Sequence, residues 1–382
     1  MPHLEGRDIV CFANDWSGDP LSKKHVMRRL ARRNRVLWVN SLGNRSPRAT
    51  ARDLRRIFDK ISKFAGGLYQ VEENIHVLSP LAIPNYRSPL MRRINEVVVG
   101  NTVRSAMKRL DFKRPLLYTF VPASAWVADQ LGADTVVYHC VDEYSRFEGA
   151  GPEIAELERE LIERSDLVIT CSEPLRQSKR QLNPNTVLVR HGVEHAHFAK
   201  ALDEATPVPD DIARLPRPII GFYGLIAEWV DLEAMRLTAE AYPHGSLVIL
   251  GEVNNAHPEK LRALPNVHFL GRRPYAELPG YCKAFDVALL PFIDNELTRN
   301  ANPLKLREYL AAGLPVVATD IPEARALAER GVLCAKTPAD FPPLVGRALQ
   351  TSGPDRARSA AMARESWDHK VAEIEERLLS LQ

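Results

Sequence analysis

The chain has 382 residues, of which 45% are apolar and 26% charged, an ordinary composition for a globular protein that is long enough for two domains. Its five scattered cysteines form no C-x-x-C pair, which excludes a zinc ribbon and a disulfide framework and fits a reducing compartment. No apolar run approaches the roughly 20 residues of a spanning helix, and the first residues do not resemble a signal peptide, so we expect a cytoplasmic protein.

Positive charge is concentrated near the start of the chain. The stretch from Lys23 to Lys63 contains fourteen Lys and Arg residues and only two Asp residues. Its net charge is therefore +12, in a chain whose total net charge is +3. Such asymmetry is typical of a surface that meets an anionic partner. Within this stretch, residues 52–64 carry an apolar helical stripe from Leu54 to Phe64, which suits either a core helix or a helix lying on anionic lipid. We favour the lipid, and we therefore expect a peripheral protein at the inner face of the cell membrane.

Short apolar runs rich in β-branched residues alternate with helical patterns along the whole chain. This alternation predicts an α/β protein with two parallel sheets, each covered on both faces. A Pro- and Asp-rich linker separates the halves, so we expect two Rossmann-like domains, 1–205 and 217–363, that face a cleft. The predicted strands are 8–13, 35–40, 75–80, 115–121, 135–141, 166–172 and 186–192 in the first half, and 218–224, 246–253, 267–271, 286–292 and 315–320 in the second.

A helix followed by a buried strand is predicted after residue 301. Asn302 can cap this helix, Pro303 suits its first position and Gly313 ends it. Lys305 then falls in the first turn, where the helix macrodipole disfavours a cation. A bound phosphate group would remove this conflict, and Glu308 lies on the same helical face. The alternative is an ordinary surface ion pair of Lys305 and Glu308.

Two glycines near the end of strand 218–224 form a second candidate phosphate site. In doubly wound folds, ligands bind beyond the carboxyl ends of the strands. Gly221 and Gly224 are expected to flank a strand-to-helix turn, where a backbone without Cβ lets phosphate approach the amides of a helix start. The alternative is that both glycines only permit the turn.

These stretches carry a resemblance to a known family. Residues 302–323, "NPLKLREYLAAGLPVVATDIPE", resemble the donor-binding signature of GT-B glycosyltransferases, in particular the family 4-like enzymes. The segments "NDWSGDPLSKKHVMRRLARR" and "VVYHCVDEYSRF" are similar to bacterial transferases that build teichuronic acids and exopolysaccharides. The resemblance implies the GT-B fold, with a C-terminal helix, 364–382, that returns to the first domain. It also implies a hexosyltransferase that uses a nucleotide sugar and a saccharide or lipid-linked acceptor.

The resemblance further implies roles for individual residues. Lys305 would hold the donor diphosphate, Gly224 would face it, and Glu308 would contact the nucleotide ribose. Glu308 matches the second glutamate of the family's E-x7-E pattern, whereas Asn300 stands in place of the first, so the contact to the donor sugar departs from the pattern. The remaining implied positions are Arg272, near the base, and Pro303 and Leu304, whose backbone would lie near the sugar.

The chemistry needs a stabilised leaving group and, for an inverting route, a base. Lys305 and the helix amides can stabilise the diphosphate, so neither a metal nor another cofactor is expected. The base candidates are His139, Asp142 and Glu143, at the end of strand 135–141. His139 falls inside the strand, where a core histidine is the commoner role. Asp142 follows the strand, where its alternative role is a loop cap.

Other polar residues follow strands of the first half, and other functions share parts of the pattern. Asn14, Asp15, Asp19 and His191 are predicted to contact the acceptor, with turn formation as the alternative. A sugar-nucleotide 2-epimerase would have the same architecture, and an NAD-dependent dehydrogenase would need a G-x-G-x-x-G motif that is missing here. Nucleic acid would explain the basic stretch but not Lys305, so it is not expected as a partner. We expect a monomer or weak dimer.

Overall fold

The structure, a computed structural model, describes residues 3–40, 67–81, 88–124, 126–147, 151–351 and 353–381. The chain divides into two compact units. The first unit comprises residues 1–190 and 370–382, and the second comprises residues 191–369. Each unit is built around a mainly parallel sheet, so the predicted α/β class is confirmed. Residues 191–216, which the sequence divided between the first domain and the linker, lie in the second unit.

The first unit has an eight-stranded sheet in the order β3-β4-β2-β1-β5-β6-β7-β8, in which only β3 and β4 pair antiparallel. β1 is central, and its residues are almost completely buried because both faces of the sheet are covered. The strands that follow β1 in the chain, β2 to β4, lie on one side of it, whereas β5 to β8 lie on the other side. The switch point of the sheet therefore lies between β1 and β5. The strands are β1 (Asp8–Ala13), β2 (Arg35–Asn40), β3 (Leu68–Glu72), β4 (Ile75–Leu78), β5 (Leu116–Thr119), β6 (Thr135–Cys140), β7 (Leu167–Thr170) and β8 (Thr186–Leu188).

Helices connect the strands of the first unit on both sides of its sheet. α4 shows the predicted amphipathic pattern, since Ile154, Leu157 and Leu161 are buried. Short 3₁₀ turns at Pro122–Ser124 and Tyr144–Arg146 follow β5 and β6. The helices are α1 (Ser22–Leu30), α2 (Pro89–Arg109), α3 (Val127–Leu131), α4 (Pro152–Arg164) and α5 (Glu173–Lys179).

The second unit has a six-stranded, fully parallel sheet in the order β11-β10-β9-β12-β13-β14. This is the strand order of dinucleotide-binding folds, and its switch point lies between β9 and β12. Ligands of such sheets bind at the carboxyl ends of these two strands. The strands are β9 (Ile219–Tyr223), β10 (Ser246–Leu250), β11 (Val267–Phe269), β12 (Val287–Leu290), β13 (Val316–Thr319) and β14 (Val332–Ala335).

The helices of the second unit cover both faces of this sheet. α12 packs its buried Leu306, Tyr309 and Leu310 on one face, while α8 and α14 cover the other. The helices are α6 (His195–Phe198), α7 (Asp210–Ala213), α8 (Leu232–Ala241), α9 (Glu259–Arg262), α10 (Leu278–Ala284), α11 (Glu296–Asn300), α12 (Leu304–Ala311), α13 (Pro322–Arg325), α14 (Phe341–Leu349), α15 (Arg356–Ala360) and α16 (Trp367–Leu379).

The last helix, α16, begins in the second unit and ends in the first. Within the first unit, the Nδ1 atom of His3 lies 2.9 Å from Oε2 of Glu375. The apolar stripe of α16 is buried, because Val371, Ile374 and Leu378 are each at most 3% exposed. The chain end is thus held to the first unit by a polar contact to the chain start.

Candidate functional site

Three glycines line the carboxyl edge of the second sheet. Gly224, Gly251 and Gly271 follow β9, β10 and β11, and all three have positive φ angles, of +135°, +151° and +75°. The amide of Gly224 donates to the carbonyl of Leu250 at 2.8 Å, and that of Gly251 donates to Gly271 at 2.9 Å. A Cβ atom on Gly251 would clash with the carbonyl of Gly224. This edge is therefore bare backbone, and only glycine fits its geometry.

Lys305 reaches this bare edge from the first turn of α12. A Cβ atom on Gly224 would clash with Cε of Lys305 and would lie 2.6 Å from its Nζ. The ammonium group therefore lies directly against the Gly224 backbone. Burial lowers the pKa of Lys305, and the charge of Glu308 opposes that shift. Within the described chain, no carboxylate is hydrogen-bonded to this ammonium group, which leaves it available to a ligand.

Glu308 lies next to Lys305 and is held by a tyrosine at the end of β9. The hydroxyl of Tyr223 donates to Oε2 of Glu308 at 2.8 Å. Burial raises the pKa of Glu308, while the Tyr223 hydrogen bond and the charge of Lys305 lower it. The backbone amide of Tyr223 in turn donates to the hydroxyl of Tyr309 at 2.9 Å. The Glu308 carboxylate therefore has a fixed position beside Lys305.

Asn302 does not cap α12, so that part of the prediction is wrong. The N-cap residue is Pro303, and no side chain of the described residues caps the helix start. Asn302 is buried instead, and its Oδ1 accepts a hydrogen bond from Nη1 of Arg307 at 2.6 Å. Gly313 does end the helix as predicted, with φ +81° and the paired hydrogen bonds of a Schellman motif. The first turn of α12 is thus without a side-chain cap among the described residues.

Arg307 is a buried support of this site that the sequence did not indicate. It is 1% exposed, and it holds Asn302 in front of α12. Its guanidinium lies 3.4 Å from Oε2 of Glu323 and 3.5 Å from Oε2 of Glu365. Arg307 therefore ties the start of α12 to two later segments of the second unit, because a buried arginine needs anionic partners.

His191, which the sequence assigned to the first domain, belongs to the second unit and contacts the residue before the start of α12. The Nδ1 atom of His191 lies 2.8 Å from the carbonyl oxygen of Asn302, and the residue is 6% exposed. Its ring lies 5.9 Å from that of Trp367. The structure therefore places this predicted acceptor residue in the second unit, buried behind the Lys305 site.

Gly221 is not part of the bare edge, and its predicted role is corrected. It lies inside β9, where a Cβ atom would clash with the ring of Phe285. No helix follows β9 directly, because α8 begins only at Leu232, after a cap by Asp231. Gly221 therefore serves close packing between β9 and the segment that precedes β12.

The other predicted residues of the second unit lie on loops and helix ends near this edge. Arg272 is exposed and directly follows Gly271. Asn300 ends α11, and its side-chain amide donates to the carbonyl of Glu296 at 2.7 Å. Pro303 and Leu304 form the start of α12. The structure therefore gathers Gly224, Lys305 and Glu308, while the contacts of Arg272 and Asn300 with a ligand stay predictions.

The corresponding edge of the first sheet contains a lysine that the sequence indicated only as part of the basic stretch. Lys23 lies in the first turn of α1 and is 8% exposed. Its Nζ donates to Oδ1 of Asn14, the residue after β1, at 2.9 Å. The same Nζ lies 5.8 Å from the ring centroids of Phe120 and Tyr144. Lys23 thus occupies the switch point of this sheet.

Asp142 lies beyond the end of β6, as predicted from its place after the strand. It is partly exposed, and burial raises its pKa to about 6, against the charge of Lys23 and together with that of Glu143. A carboxyl group that titrates near neutral pH can take up a proton and release it again during turnover. The role of Asp142 as the general base stays a prediction.

His139 and Glu143, the other base candidates, are engaged inside the first unit. His139 is 2% exposed in β6, with Nδ1 2.8 Å from the Tyr118 hydroxyl oxygen and its ring stacked at 5.0 Å on Phe120. Glu143 is buried and accepts a hydrogen bond from Lys179 at 2.9 Å. Both side chains are therefore packed in the interior of the unit, and their predicted role as a base stays a prediction.

Lys179 connects Glu143 to a buried polar network under Asp142. Besides Glu143, its ammonium group donates to Oε2 of Glu158 at 2.8 Å. The hydroxyl of Tyr138 donates to Oε1 of the same glutamate at 2.6 Å. Because all these groups are buried and paired, they fix the backbone on either side of Asp142.

Asp15 and Asp19 lie in the loop between β1 and α1. Oδ1 of Asp15 accepts hydrogen bonds from the amide and the hydroxyl of Ser17 at 2.9 and 2.8 Å, which is an Asx turn. The carbonyl of Asp19 accepts from the amide of Leu21 at 2.8 Å. Turn formation, the alternative role of Asp15, is thus observed, and acceptor contacts of either residue stay predictions.

Comparison with known families finds a similarity in the second unit. Residues 217–350 match the family model described as Glycosyl transferases group 1. The second unit is therefore similar to this family over those residues. The chain is also 27% identical over 223 residues to the putative teichuronic acid biosynthesis glycosyltransferase TuaH of Bacillus subtilis (strain 168). That match covers 54% of this chain and 55% of TuaH, so the chain spans about half the length of this relative.

Several solved structures resemble the chain over almost its full length. Sucrose-phosphate synthase from Thermosynechococcus elongatus aligns with a TM-score of 0.67 at 16% identity, over 98% of this chain and 99% of that one. Anabaena HepE in complex with UDP-glucose aligns with a TM-score of 0.64 at 14% identity, over 98% and 99%. At these identities the likeness shows the fold, and it confirms the predicted GT-B class. The comparisons give no support to the epimerase alternative.

Two further observations concern metals and membranes. The described residues contain no group of three His, Cys, Asp or Glu side chains suited to hold a metal ion. No helix in the described part of the chain combines the length and the apolar character needed to cross a bilayer. The predicted lipid-binding helix at 52–64 lies outside the described residues.

Proposed function

We propose that the protein transfers a sugar from a nucleoside-diphosphate sugar to a saccharide or lipid-linked acceptor in the synthesis of cell-surface polysaccharide. The observation that carries this proposal is the position of Lys305 against the bare backbone of Gly224, at the switch point of the second sheet. A diphosphate there would meet one ammonium group and the first-turn amides of α12. Glu308, held by Tyr223, would accept hydrogen bonds from the ribose hydroxyls.

The known relatives support the substrate classes of this proposal. HepE binds UDP-glucose in its solved complex, which supports a nucleotide sugar as donor. TuaH is named for teichuronic acid biosynthesis, which supports a polysaccharide product. The site itself contributes the chemistry, because its cation and amides suit a diphosphate and its carboxylate suits a sugar hydroxyl.

Transfer breaks the bond between the anomeric carbon and the diphosphate oxygen, and negative charge develops on the departing diphosphate. Lys305 and the first-turn amides of α12 lie where they would stabilise this charge, so we propose that the transfer needs no metal ion. In an inverting route, Asp142 would take the proton of the attacking acceptor hydroxyl. Its pKa of about 6 keeps it mostly ionised, and so able to accept a proton, at neutral pH.

We also propose that the protein binds anionic lipid at the cytoplasmic face of the membrane. α2 carries an exposed apolar stripe with the spacing of one helical face, and the exposed Lys108 continues that face at the helix end. Such a surface, apolar with a basic end, suits the boundary between lipid headgroups and acyl chains. The stripe consists of Leu90, Ile94, Val97 and Val98, which are 66%, 37%, 47% and 39% exposed.

A product assay tests the proposed activity. The purified protein is incubated with a panel of nucleotide sugars and a membrane extract that supplies saccharide and lipid-linked acceptors. We expect one nucleotide sugar to yield a glycosylated product, and NMR of its anomeric proton then assigns the route as retaining or inverting. Lys305→Ala should abolish the product. A donor whose sugar is epimerised in the absence of any acceptor, or no turnover with any donor, would contradict the proposal.

A further inference from the structure

Two lysines in the first turn of α1 are buried without a carboxylate hydrogen-bond partner. Lys23 and Lys24 are each 8% exposed. Within the described chain, their ammonium groups donate to neutral oxygens, Oδ1 of Asn14 and the carbonyl of Gly18. The helix macrodipole disfavours cations in a first turn, and buried charges are normally paired. α1 also contains no acidic residue in this turn and lacks a side-chain cap. Neither ammonium group is therefore hydrogen-bonded to a carboxylate in the described chain.

Tyr144 provides an independent observation at the same place. It is 6% exposed, and its hydroxyl has no hydrogen-bond partner among the described residues. Its ring centroid lies 5.8 Å from Nζ of Lys23. A buried hydroxyl without a partner is costly, so folded proteins rarely contain one unless a ligand or water completes it. The ring of a tyrosine whose hydroxyl has no partner among the described residues thus lies beside the buried ammonium group of Lys23.

The surroundings of the two lysines differ, and they single out Lys23. Lys24 packs on the ring of Trp16 at 5.0 Å, and it experiences the charges of Arg28, Asp19, Asp15 and Glu72. Lys23 lies instead beside residues that follow β1, β5 and β6, which is the ligand-binding edge of a doubly wound sheet. The acidic side chain that acts on Lys23 is Asp142, without a hydrogen bond between them.

We propose that Lys23 and the hydroxyl of Tyr144 bind an oxyanion of the acceptor, a phosphate or a carboxylate, beside Asp142. The assignment of this anion to the acceptor rests on the proposed function. The acceptor then presents its hydroxyl to Asp142 and its negative charge to Lys23. The protein consequently selects acidic acceptors over neutral saccharides of the same size, because a neutral acceptor gives the ammonium group of Lys23 and the hydroxyl of Tyr144 no anionic partner.

Inorganic phosphate and acetate serve as probes of this subsite in the full chain. Binding is measured by calorimetry on the Lys305→Ala variant, in which the proposed diphosphate site is silenced. We expect saturable binding of at least one of the two anions, and the stronger probe shows whether the subsite prefers phosphate or carboxylate. Lys23→Met should weaken this binding about tenfold or more, because it removes a charge-assisted contact, and Lys23→Arg should restore part of it. Lys24→Met is the matched control, because Lys24 is a neighbouring lysine of equal exposure. This variant should bind the anion as tightly as the Lys305→Ala parent.

Tyr144→Phe separates ligand binding from a structural role. Removal of an unpaired buried hydroxyl should leave the melting temperature unchanged or raise it, while anion affinity falls severalfold. No anion binding to the Lys305→Ala variant, or equal losses in Lys23→Met and Lys24→Met, would overturn the inference. So would unchanged anion affinity in Tyr144→Phe together with unchanged affinity in Lys23→Met. Nucleoside diphosphate binding by the otherwise unaltered chain and by Lys23→Met tests the donor site separately, and its failure would contradict the proposed function without deciding the anion subsite.

Discussion

Replacement of Asp142 by Asn should make the protein more stable and almost inactive. The carboxyl group is partly buried, and burial raises its pKa from the ordinary value of 3.8 to about 6. The native state therefore binds more protons than the unfolded state between pH 4 and 6, and stability falls as the pH rises through this range. Above pH 6 the carboxylate is ionised in both states, and it destabilises the fold by the whole free energy that corresponds to the pKa shift. Asparagine has nearly the same shape and removes this charge.

The size of the effect follows from the pKa shift. Each pKa unit corresponds to about 1.4 kcal/mol, so Asp142→Asn should raise the free energy of unfolding by up to about 3 kcal/mol at pH 8. At pH 3.5, where Asp142 is protonated in the native state, the gain should nearly vanish. Turnover should fall roughly 100-fold or more if Asp142 is the base. For the same reason, kcat/KM of the unaltered protein should rise with pH and level off above about pH 6.

Urea unfolding at the two pH values, together with turnover at pH 8, checks this prediction. Asp15→Asn is a control for the stability measurement, because Asp15 is an exposed turn residue near the same edge. A variant that is less stable at both pH values would show that Asp142 is a loop cap. Retained turnover would show that it is not the base, whatever its effect on stability.

Three further variants test the donor site and the membrane surface. Gly224→Ala should cost about 1–3 kcal/mol of stability and weaken nucleoside diphosphate binding, because the added Cβ would clash with Lys305. Gly271→Ala is its control, since the added Cβ lies in open space, and this variant should leave the diphosphate affinity nearly unchanged. Glu308→Gln should weaken nucleoside diphosphate about tenfold but leave inorganic pyrophosphate binding unaltered in the same titration, and equal losses for both would contradict the ribose role. Ile94→Asp should release the protein from anionic vesicles in co-sedimentation at low salt, and unchanged sedimentation would exclude the α2 stripe as the lipid contact.

The parallel strands could be predicted because burial on both faces produces continuous apolar runs. β3 and β14 were missed, and both are edge strands of their sheets. β3 pairs antiparallel, and most of its residues are exposed or partly exposed, so it lacks such a run. β14 has only Val332 and Ala335 fully buried. An edge strand is covered by fewer neighbours, and its sequence carries a correspondingly weaker signal.

The candidate donor site was predictable where it depends on local chemistry. Lys305 in a first turn and Gly224 after a strand can both be recognised from a short segment of sequence. The support by His191, 111 residues from Asn302, and by Tyr223, 85 residues from Glu308, depends on contacts that only the fold creates.

In the first unit, Lys23 was counted with the basic surface, because charged residues are usually exposed. Its burial beside Tyr144 depends on where the chain places the end of β6, so no local pattern indicated it.

Nucleotide titration of the Lys305 site tests the central claim most directly. We predict that calorimetry with the unaltered protein shows a nucleoside diphosphate binding more tightly than the corresponding monophosphate. Lys305→Ala should weaken the diphosphate about tenfold or more and remove most of this preference, since the lost contact is charge-assisted. Lys336→Ala, an exposed lysine of the same unit, should bind as the unaltered protein does. Equal diphosphate affinity with and without the Lys305 side chain, or tighter binding of a nicotinamide dinucleotide, would contradict the claim.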